Sequence, residues 1–131
     1  MKQTTKEWLL AAEDDLFSAK KLVTEERLTN IVAFHCQQCI EKLVKSVIEE
    51  KNLSSLKSHD LLRLFTRAEI SLPEKDRLML AVINEVYIDA RYPGDMGLLP
   101  QGKPTIEEAQ SFIDFAEKTS TQIKQILAKK E

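Results

Sequence analysis

The distribution of glycine and proline constrains the fold of this chain more than any other feature. All three glycines and three of the four prolines fall between residues 92 and 104, so the rest of the chain holds one proline, Pro73, and no glycine. A β protein of this length needs a turn every few residues, and glycine and proline supply most such turns. The sequence therefore predicts an all-α protein with long helices and one irregular segment.

Length and composition indicate one folded domain spanning residues 1–131. The 131 residues suffice to bury a core, and 43% hydrophobic with 31% charged residues is typical of amphipathic helices. The net charge of −2 provides no general attraction to nucleic acid or anionic lipid. We see no apolar run of the roughly 18 residues that would span a bilayer and no signal-peptide pattern, so we expect a cytoplasmic protein with no membrane contact.

Apolar residues recur at steps of three and four in four long stretches, which is the helical period. A shorter helix, with Ser58 as its N-cap and opened by His59 and Asp60, is predicted between the second and third of these stretches. Short connections favour antiparallel neighbours, so we expect an up-and-down four-helix bundle with a short additional helix. The long helices are predicted at Thr5–Glu26, Asn30–Lys51, Pro73 to about Arg91, and Ile106 to about Ala128.

The second helix has two stripes on opposite sides. The core stripe comprises Val32, Cys36, Cys39, Ile40, Leu43 and Val47. The opposite, outward stripe comprises Phe34, Gln38, Glu41 and Lys45. Because a phenylalanine on an outer face needs a partner, we expect a crossing helix or a second subunit there, and Phe34 with Gln38 are the candidate dimer contacts.

The first, fourth and fifth helices each have one apolar stripe. In the first helix it comprises Trp8, Leu9, Ala12, Leu16, Ala19, Leu22 and Val23. In the fourth it comprises Leu78, Met79, Val82, Val86 and Ala90. In the fifth it comprises Ile113, Ala116, Ile123 and Leu127, flanked by Phe112 and Ile126.

Common catalytic and metal-binding motifs are missing from the sequence. There is no glycine-rich phosphate loop, no H-E-x-x-H and no G-x-S-x-G. Cys36 and Cys39 have the C-x-x-C spacing, but they lie within an apolar helical stretch and no second Cys/His pair completes a zinc site. We interpret them as buried thiols and expect no metal and no cofactor.

Two stretches bear side chains that suit a phosphate ligand. On the second helix, Gln38, Lys42 and Lys45 could hold phosphate and sugar oxygens, although the alternative is a solvated face with a Glu41–Lys45 ion pair. At the start of the short helix, His59 could hydrogen-bond a phosphate or a base, or could simply cap the helix.

The end of the fourth helix is the third candidate. Tyr87 and Arg91 stand one turn apart beside the long irregular segment, followed by Tyr92. Arginine provides a planar, permanently charged group for phosphate, and tyrosine can stack on a base. The alternative is a structural salt bridge from Arg91 to Asp89 or Asp95.

Three groups of residues together resemble the HEPN domain family. They are the opening-helix pattern from Trp8 to Leu22, the run Ala33-Phe34-His35-Cys36-Gln37-Gln38 leading to Glu41-Lys42 and Lys45, and His59-Asp60-Leu61 followed by Tyr87 and Ala90-Arg91-Tyr92-Pro93-Gly94-Asp95. The resemblance covers nearly the whole chain. It implies a helix bundle that forms a homodimer and often partners a minimal nucleotidyltransferase in a toxin–antitoxin-like pair.

Many proteins of that family are metal-independent ribonucleases with an arginine followed four to six residues later by a histidine. Arg91 matches the arginine, but no histidine follows His59 in this chain. The resemblance therefore favours a non-catalytic protein that binds a nucleotide or RNA phosphate through Arg91, Tyr87, Tyr92, His59, Lys42 and Lys45. A ribonuclease with a divergent site and a pure protein-interaction module are the alternatives.

Overall fold

The structure is a computed structural model that describes residues 1–91 and 103–130. In those residues the chain forms five α-helices, and a single turn of 3-10 helix at Glu26–Leu28 joins the first two. The helices are α1 (Gln3–Leu22), α2 (Thr29–Glu50), α3 (Leu61–Arg67), α4 (Glu74–Arg91) and α5 (Ile106–Lys130). The all-helical fold predicted from the sequence is confirmed. No helix among the described residues is both long and apolar enough to span a bilayer.

Helix α2 occupies the centre of the bundle and packs against all four other helices. Its predicted core residues from Val32 to Val47 are buried, and so are Ala33, Val44 and Ile48 on its flanks. A helix with neighbours on most sides has little room for a solvated face. This central position explains why the predicted outward stripe of α2 is wrong for Glu41, which is 4% exposed.

The predicted apolar face of α4 is also wrong in part. Leu78 is 62% exposed and Val82 46% exposed, whereas Leu80 and Ile83 are fully buried. Val86 is buried as predicted, and Ala90 lies outside the residues whose side chains are described. The sequence offers apolar residues on both sides of α4, and the side next to α2 is the buried one.

Two helices end without the glycine that usually terminates a helix. Asn52 and Glu69, each two residues beyond the last residue of α2 and α3, adopt positive φ angles of 57° and 62°. After α2, the Leu53 amide donates to the Ile48 carbonyl; after α3, the Ile70 amide donates to the Phe65 carbonyl. Both closures satisfy carbonyls that the helix end would leave unpaired.

The start of α3 differs from the prediction. The helix begins at Leu61 and its N-cap is Asp60, whose carboxylate accepts from the amides of Leu62 and Arg63. Ser58, the predicted N-cap, instead accepts a hydrogen bond from the Asp60 amide. His59 therefore lies before the helix and not in its first turn. At α5, Thr105 and Glu108 form a capping box with reciprocal hydrogen bonds of 2.9 and 3.0 Å.

Candidate functional site

The carboxylate of Glu41 organises one side of α2. Its Oε1 lies 2.9 Å from Nδ1 of His59, and its Oε2 accepts from Nζ of Lys45 at 2.8 Å. Nε2 of Gln37 donates to Oε1 at 3.1 Å. Burial disfavours ionisation of this carboxyl, but the hydrogen bonds from Lys45, His59 and Gln37 and the charge of Lys45 outweigh it, so the pKa of Glu41 lies below its ordinary value.

Gln37 fixes the backbone that carries His59. Its side chain is fully buried, and Nε2 also donates to the His59 carbonyl at 2.7 Å. Gln38 adds a 2.7 Å hydrogen bond from its Nε2 to Oε1 of Gln37. The imidazole of His59 is thereby held through both its backbone and its ring, while 53% of its side chain remains exposed. We call Gln37, Gln38, Glu41, Lys45 and His59 the His59 cluster.

The aromatic ring of Tyr87 on α4 closes the His59 cluster on one side. The ring centroids of His59 and Tyr87 are 5.7 Å apart, and Phe34 stacks on Tyr87 at 5.6 Å with an interplanar angle of 14°. Tyr87 is 4% exposed. With one face against Phe34 and little exposure, Tyr87 is suited to supporting His59 and poorly suited to stacking on a base.

A second carboxylate on α1 repeats the same arrangement nearby. Oδ1 of Asp15 lies 2.9 Å from Nδ1 of His35, and Oδ2 accepts from Nζ of Lys42 at 2.6 Å. His35 contacts Phe34 edge-to-face, with ring centroids 5.5 Å apart. A continuous chain of contacts therefore runs from Lys42 through Asp15, His35 and Phe34 to the Tyr87 ring beside His59.

Asn84 ties the start of α3 to α4. Its Oδ1 accepts from the Leu61 amide at 3.0 Å, and its Nδ2 donates to Oδ1 of Asp60 at 3.0 Å. Asp60, which follows His59, is thus anchored to Asn84, and Asn84 lies one turn of α4 before Tyr87.

The structure brings together some of the predicted site residues and separates others. Lys45, His59 and Tyr87 lie in or against the His59 cluster, whereas Lys42 belongs to the carboxylate of Asp15. The backbone of Arg91 closes α4 one turn beyond Tyr87, but its side chain and all of Tyr92 lie outside the described residues. The predicted Glu41–Lys45 ion pair is present, although Glu41 is buried and not solvated.

Phe34 finds its neighbours within the chain. The crossing helix that the sequence allowed as one partner is α4, through Tyr87. Gln38 likewise donates to Gln37 and, at 3.4 Å, to Glu41. The assignment of Phe34 and Gln38 to a dimer interface therefore stays a prediction. Its original reason, an outward phenylalanine in need of a partner, is met by Tyr87 of the same chain.

Three site residues were not among the predicted ones: Asp15, Gln37 and Asn84. Each stands at helical spacing within a buried stripe, for example Asp15 between Ala12 and Ala19. A polar residue inside an apolar stripe must find hydrogen-bond partners when it is buried. A polar residue at a position where the helical spacing predicts an apolar one is the signal that could have identified them.

The two cysteines are separate from this chemistry. Cys36 and Cys39 are unpaired and buried, and burial raises the pKa of both thiols, that of Cys39 to about 12. Within the described part of the chain, no group of three or more His, Cys, Asp or Glu side chains could hold a metal ion.

Comparison with known proteins assigns the chain to a family. The HEPN domain family matches residues 5–126, so this protein belongs to the HEPN domain family. Among solved structures, TT1696 from Thermus thermophilus is similar with a TM-score of 0.79 at 22% sequence identity. ST0689, an archaeal HEPN homologue, is similar with a TM-score of 0.70 at 25% identity. Each match covers 95% of this chain and 98% of the other. The comparison with curated proteins gave no match.

Proposed function

We propose that this HEPN protein binds a nucleotide or RNA phosphate at a ledge formed by His59 and Arg91. The observation that carries the proposal is the contact between His59 and Tyr87, because Arg91 follows Tyr87 by four residues on the same helix. Four residues correspond to about 6 Å along a helix axis. A guanidinium and an imidazole can both donate hydrogen bonds to one phosphate group.

The carboxylates of Glu41 and Asp15 determine which positively charged side chains remain available to a ligand. Glu41 holds Lys45 and Asp15 holds Lys42, so these two positive charges are neutralised within the protein. Glu41 also engages Nδ1 of His59, which leaves Nε2 as the ring nitrogen for a ligand. We therefore assign direct phosphate contact to Arg91 and His59, and a supporting role to Lys42, Lys45 and Tyr87. Tyr92 follows Arg91 directly and is assigned to the nucleoside side of the ligand.

Calorimetric titration tests this assignment with ATP and, in a second arm, a short single-stranded RNA. We expect binding by the wild type and a loss of about tenfold or more in affinity for Arg91→Ala and for His59→Gln. Arg27→Ala is the matched control, because Arg27 is an exposed arginine on the 3-10 turn. Equal binding by Arg91→Ala and wild type would refute the site.

A ribonuclease is the second candidate, and one observation favours it. A histidine whose Nδ1 is held by a buried carboxylate and whose ring is half exposed has the arrangement of a general base. Nε2 of His59 would accept the proton of a ribose 2′-hydroxyl as that oxygen attacks the adjacent phosphorus. The bond to the 5′-oxygen then breaks as that oxygen takes a proton from water, and His59 returns its own proton to solvent. The products are a 2′,3′-cyclic phosphate and a 5′-hydroxyl end.

Incubation of labelled RNA with the purified protein in EDTA distinguishes binding from cleavage. The binding proposal predicts intact RNA with both wild type and His59→Gln. Cyclic-phosphate ends that disappear in both His59→Gln and Arg91→Ala would establish the ribonuclease instead.

For assembly, we propose a homodimer that partners a minimal nucleotidyltransferase in a toxin–antitoxin-like pair. The support is membership of the HEPN family and the resemblance of the His59 and Arg91 segments to it. Light scattering coupled to size-exclusion chromatography tests the dimer, for which Phe34→Glu and Gln38→Glu are the interface variants. A monomeric wild type at micromolar concentration would contradict it.

A further inference from the structure

The exposed side of α3 separates two clefts. One has a volume of about 520 Å³ and lies between α3 and the segment before it. The other has a volume of about 550 Å³ and lies between α3 and the segment leading into α4. Leu62, Thr66 and Glu69 line both clefts, so they form the ridge between them. We call the two clefts and this ridge the α3 surface.

The floor of the α3 surface is aliphatic. Leu53 and Leu56 line the first cleft, Ile70 and Leu72 line the second, and Leu62 lines both at the ridge between them. All five are only partly buried against the core. Five partly exposed aliphatic side chains on one side of a small bundle provide anchor positions for apolar side chains of a partner.

The rim of the α3 surface is basic. Arg63 and Arg67 border the first cleft and Arg77 the second, against one acidic residue, Glu69. The Arg67 guanidinium is engaged by Ser54 and by the carbonyl of Ser55, so it fixes the loop. The guanidinium groups of Arg63 and Arg77 have no hydrogen bond or ion pair with any residue that the structure describes.

The charge of this region contrasts with the rest of the chain. Residues 51–77 contain six Lys or Arg and four Asp or Glu, whereas the whole chain has a net charge of −2. Two arginines with no partner among the described residues flank an aliphatic floor, and together they complement a ligand that is apolar along one line and acidic on both flanks.

We propose that the α3 surface docks an amphipathic helical segment of a partner protein, with leucine-like side chains on the floor and carboxylates against Arg63 and Arg77. This inference concerns a different surface from the His59 and Arg91 ledge and does not depend on the proposed ligand. The docking mode is a helix in an apolar groove, in which side chains at i, i+3, i+4 and i+7 serve as anchors. The aliphatic floor favours a protein segment over RNA, whose bases stack on aromatic rings.

Titration of ¹⁵N-labelled protein with a synthetic 16-residue helical peptide tests the proposal. The peptide has leucine at the anchor positions and glutamate on the flanks, and its control has lysine in place of every glutamate. We expect the acidic peptide to shift the backbone amides of Leu53, Leu62 and Thr66, and the lysine peptide to leave them unchanged. The combined Arg63→Glu and Arg77→Glu variant should weaken binding by about tenfold or more, whereas Arg27→Glu should not.

The outcomes that overturn the proposal are distinct. The first is the absence of amide shifts at about 1 mM acidic peptide, and the second is equal shifts with the lysine peptide. The third is binding that the two glutamate substitutions leave unaffected in a variant with wild-type circular dichroism. Shifts of these amides by an RNA oligonucleotide but not by the acidic peptide would assign the surface to nucleic acid. Shifts that grow with protein concentration alone would assign it to a second copy of the chain.

Discussion

Nδ1 of His59 lies 2.9 Å from Oε1 of Glu41, a carboxylate that is almost completely buried on α2. This hydrogen bond joins the loop before α3 to the central helix of the bundle. It also sets which ring nitrogen of His59 remains for a ligand. The proposed function depends on this relationship, because a histidine with both nitrogens free would have no defined orientation.

Replacement of Glu41 tests how much this hydrogen bond stabilises the fold. Glu41→Gln removes the charge that Lys45 and His59 face, and we expect a loss of about 2 kcal/mol in the free energy of unfolding at pH 7. Urea titration measures the loss. Glu85→Gln, an exposed substitution on α4, should change the stability by less than about 0.5 kcal/mol. Equal stability of Glu41→Gln and wild type would contradict a role for the cluster in the fold.

The same carboxylate predicts a pH dependence. The pKa of Glu41 is lowered from an ordinary value of 4.5, so folding favours the ionised form. Its contribution is complete above about pH 4.5 and disappears as the pH falls through the folded-state pKa. Wild type should therefore lose more stability on acidification below pH 4.5 than Glu41→Gln does. Parallel pH profiles for the two proteins would show that the folded-state pKa of Glu41 is not lowered.

Asn84 is expected to stabilise the start of α3. Asn84→Ala removes hydrogen bonds to the Leu61 amide and to Asp60, and we expect a loss of about 1 to 2 kcal/mol. Glu85→Ala on the exposed side of α4 is the control. Because His59 precedes Asp60, the Asn84 variant should also bind ATP more weakly. An unchanged affinity would show that Asn84 does not position His59.

The sequence predicted the helices well because glycine and proline are confined to one segment. It predicted the buried core stripes of α2 and α5 from apolar spacing alone. It did less well on α4, where apolar residues occupy both sides and only the packing against α2 decides which side is buried. Leu78 and Leu80 are the same residue type two positions apart, and the sequence alone does not indicate which one meets the core.

The sequence predicted only part of the candidate site, again because the packing of the helices decides the rest. His59, Lys45 and Tyr87 were identified by residue type and position along the chain. The roles of Glu41 and Asp15 depend on which helices lie beside α2, and that arrangement is a tertiary property. Their contacts join residues 18 and 20 positions apart, which the helical period does not relate to each other.

The two sides of α4 can be compared directly by substitution. Leu80→Ala leaves a cavity at a fully buried position, and we expect a loss of about 2 to 5 kcal/mol. Leu78→Ala, at a position that is 62% exposed, should change the stability by less than about 0.5 kcal/mol. Thermal unfolding of both variants checks this. Similar losses for the two would show that Leu78 is covered in solution, for example by a partner.

Cys36 and Cys39 are expected to be unreactive in the native protein. Burial keeps both thiols protonated, and the pKa of Cys39 is raised to about 12, so very little thiolate exists at pH 8. Titration with a disulfide reagent should therefore label neither cysteine in the folded state and both cysteines in denaturant. Rapid labelling of the native protein would mean that α2 opens readily from the bundle.

The most direct test of the proposed phosphate ledge is nuclear magnetic resonance of the imidazole nitrogens. The chain contains two histidines, and in both of them Nδ1 is held by a carboxylate. His35, which is less exposed than His59, is therefore an internal reference. On titration with ATP, we predict that the Nε2 resonance of His59 shifts with saturation while that of His35 stays in place. A shift at His35 alone, or no shift at either histidine at saturating ATP, would contradict the account.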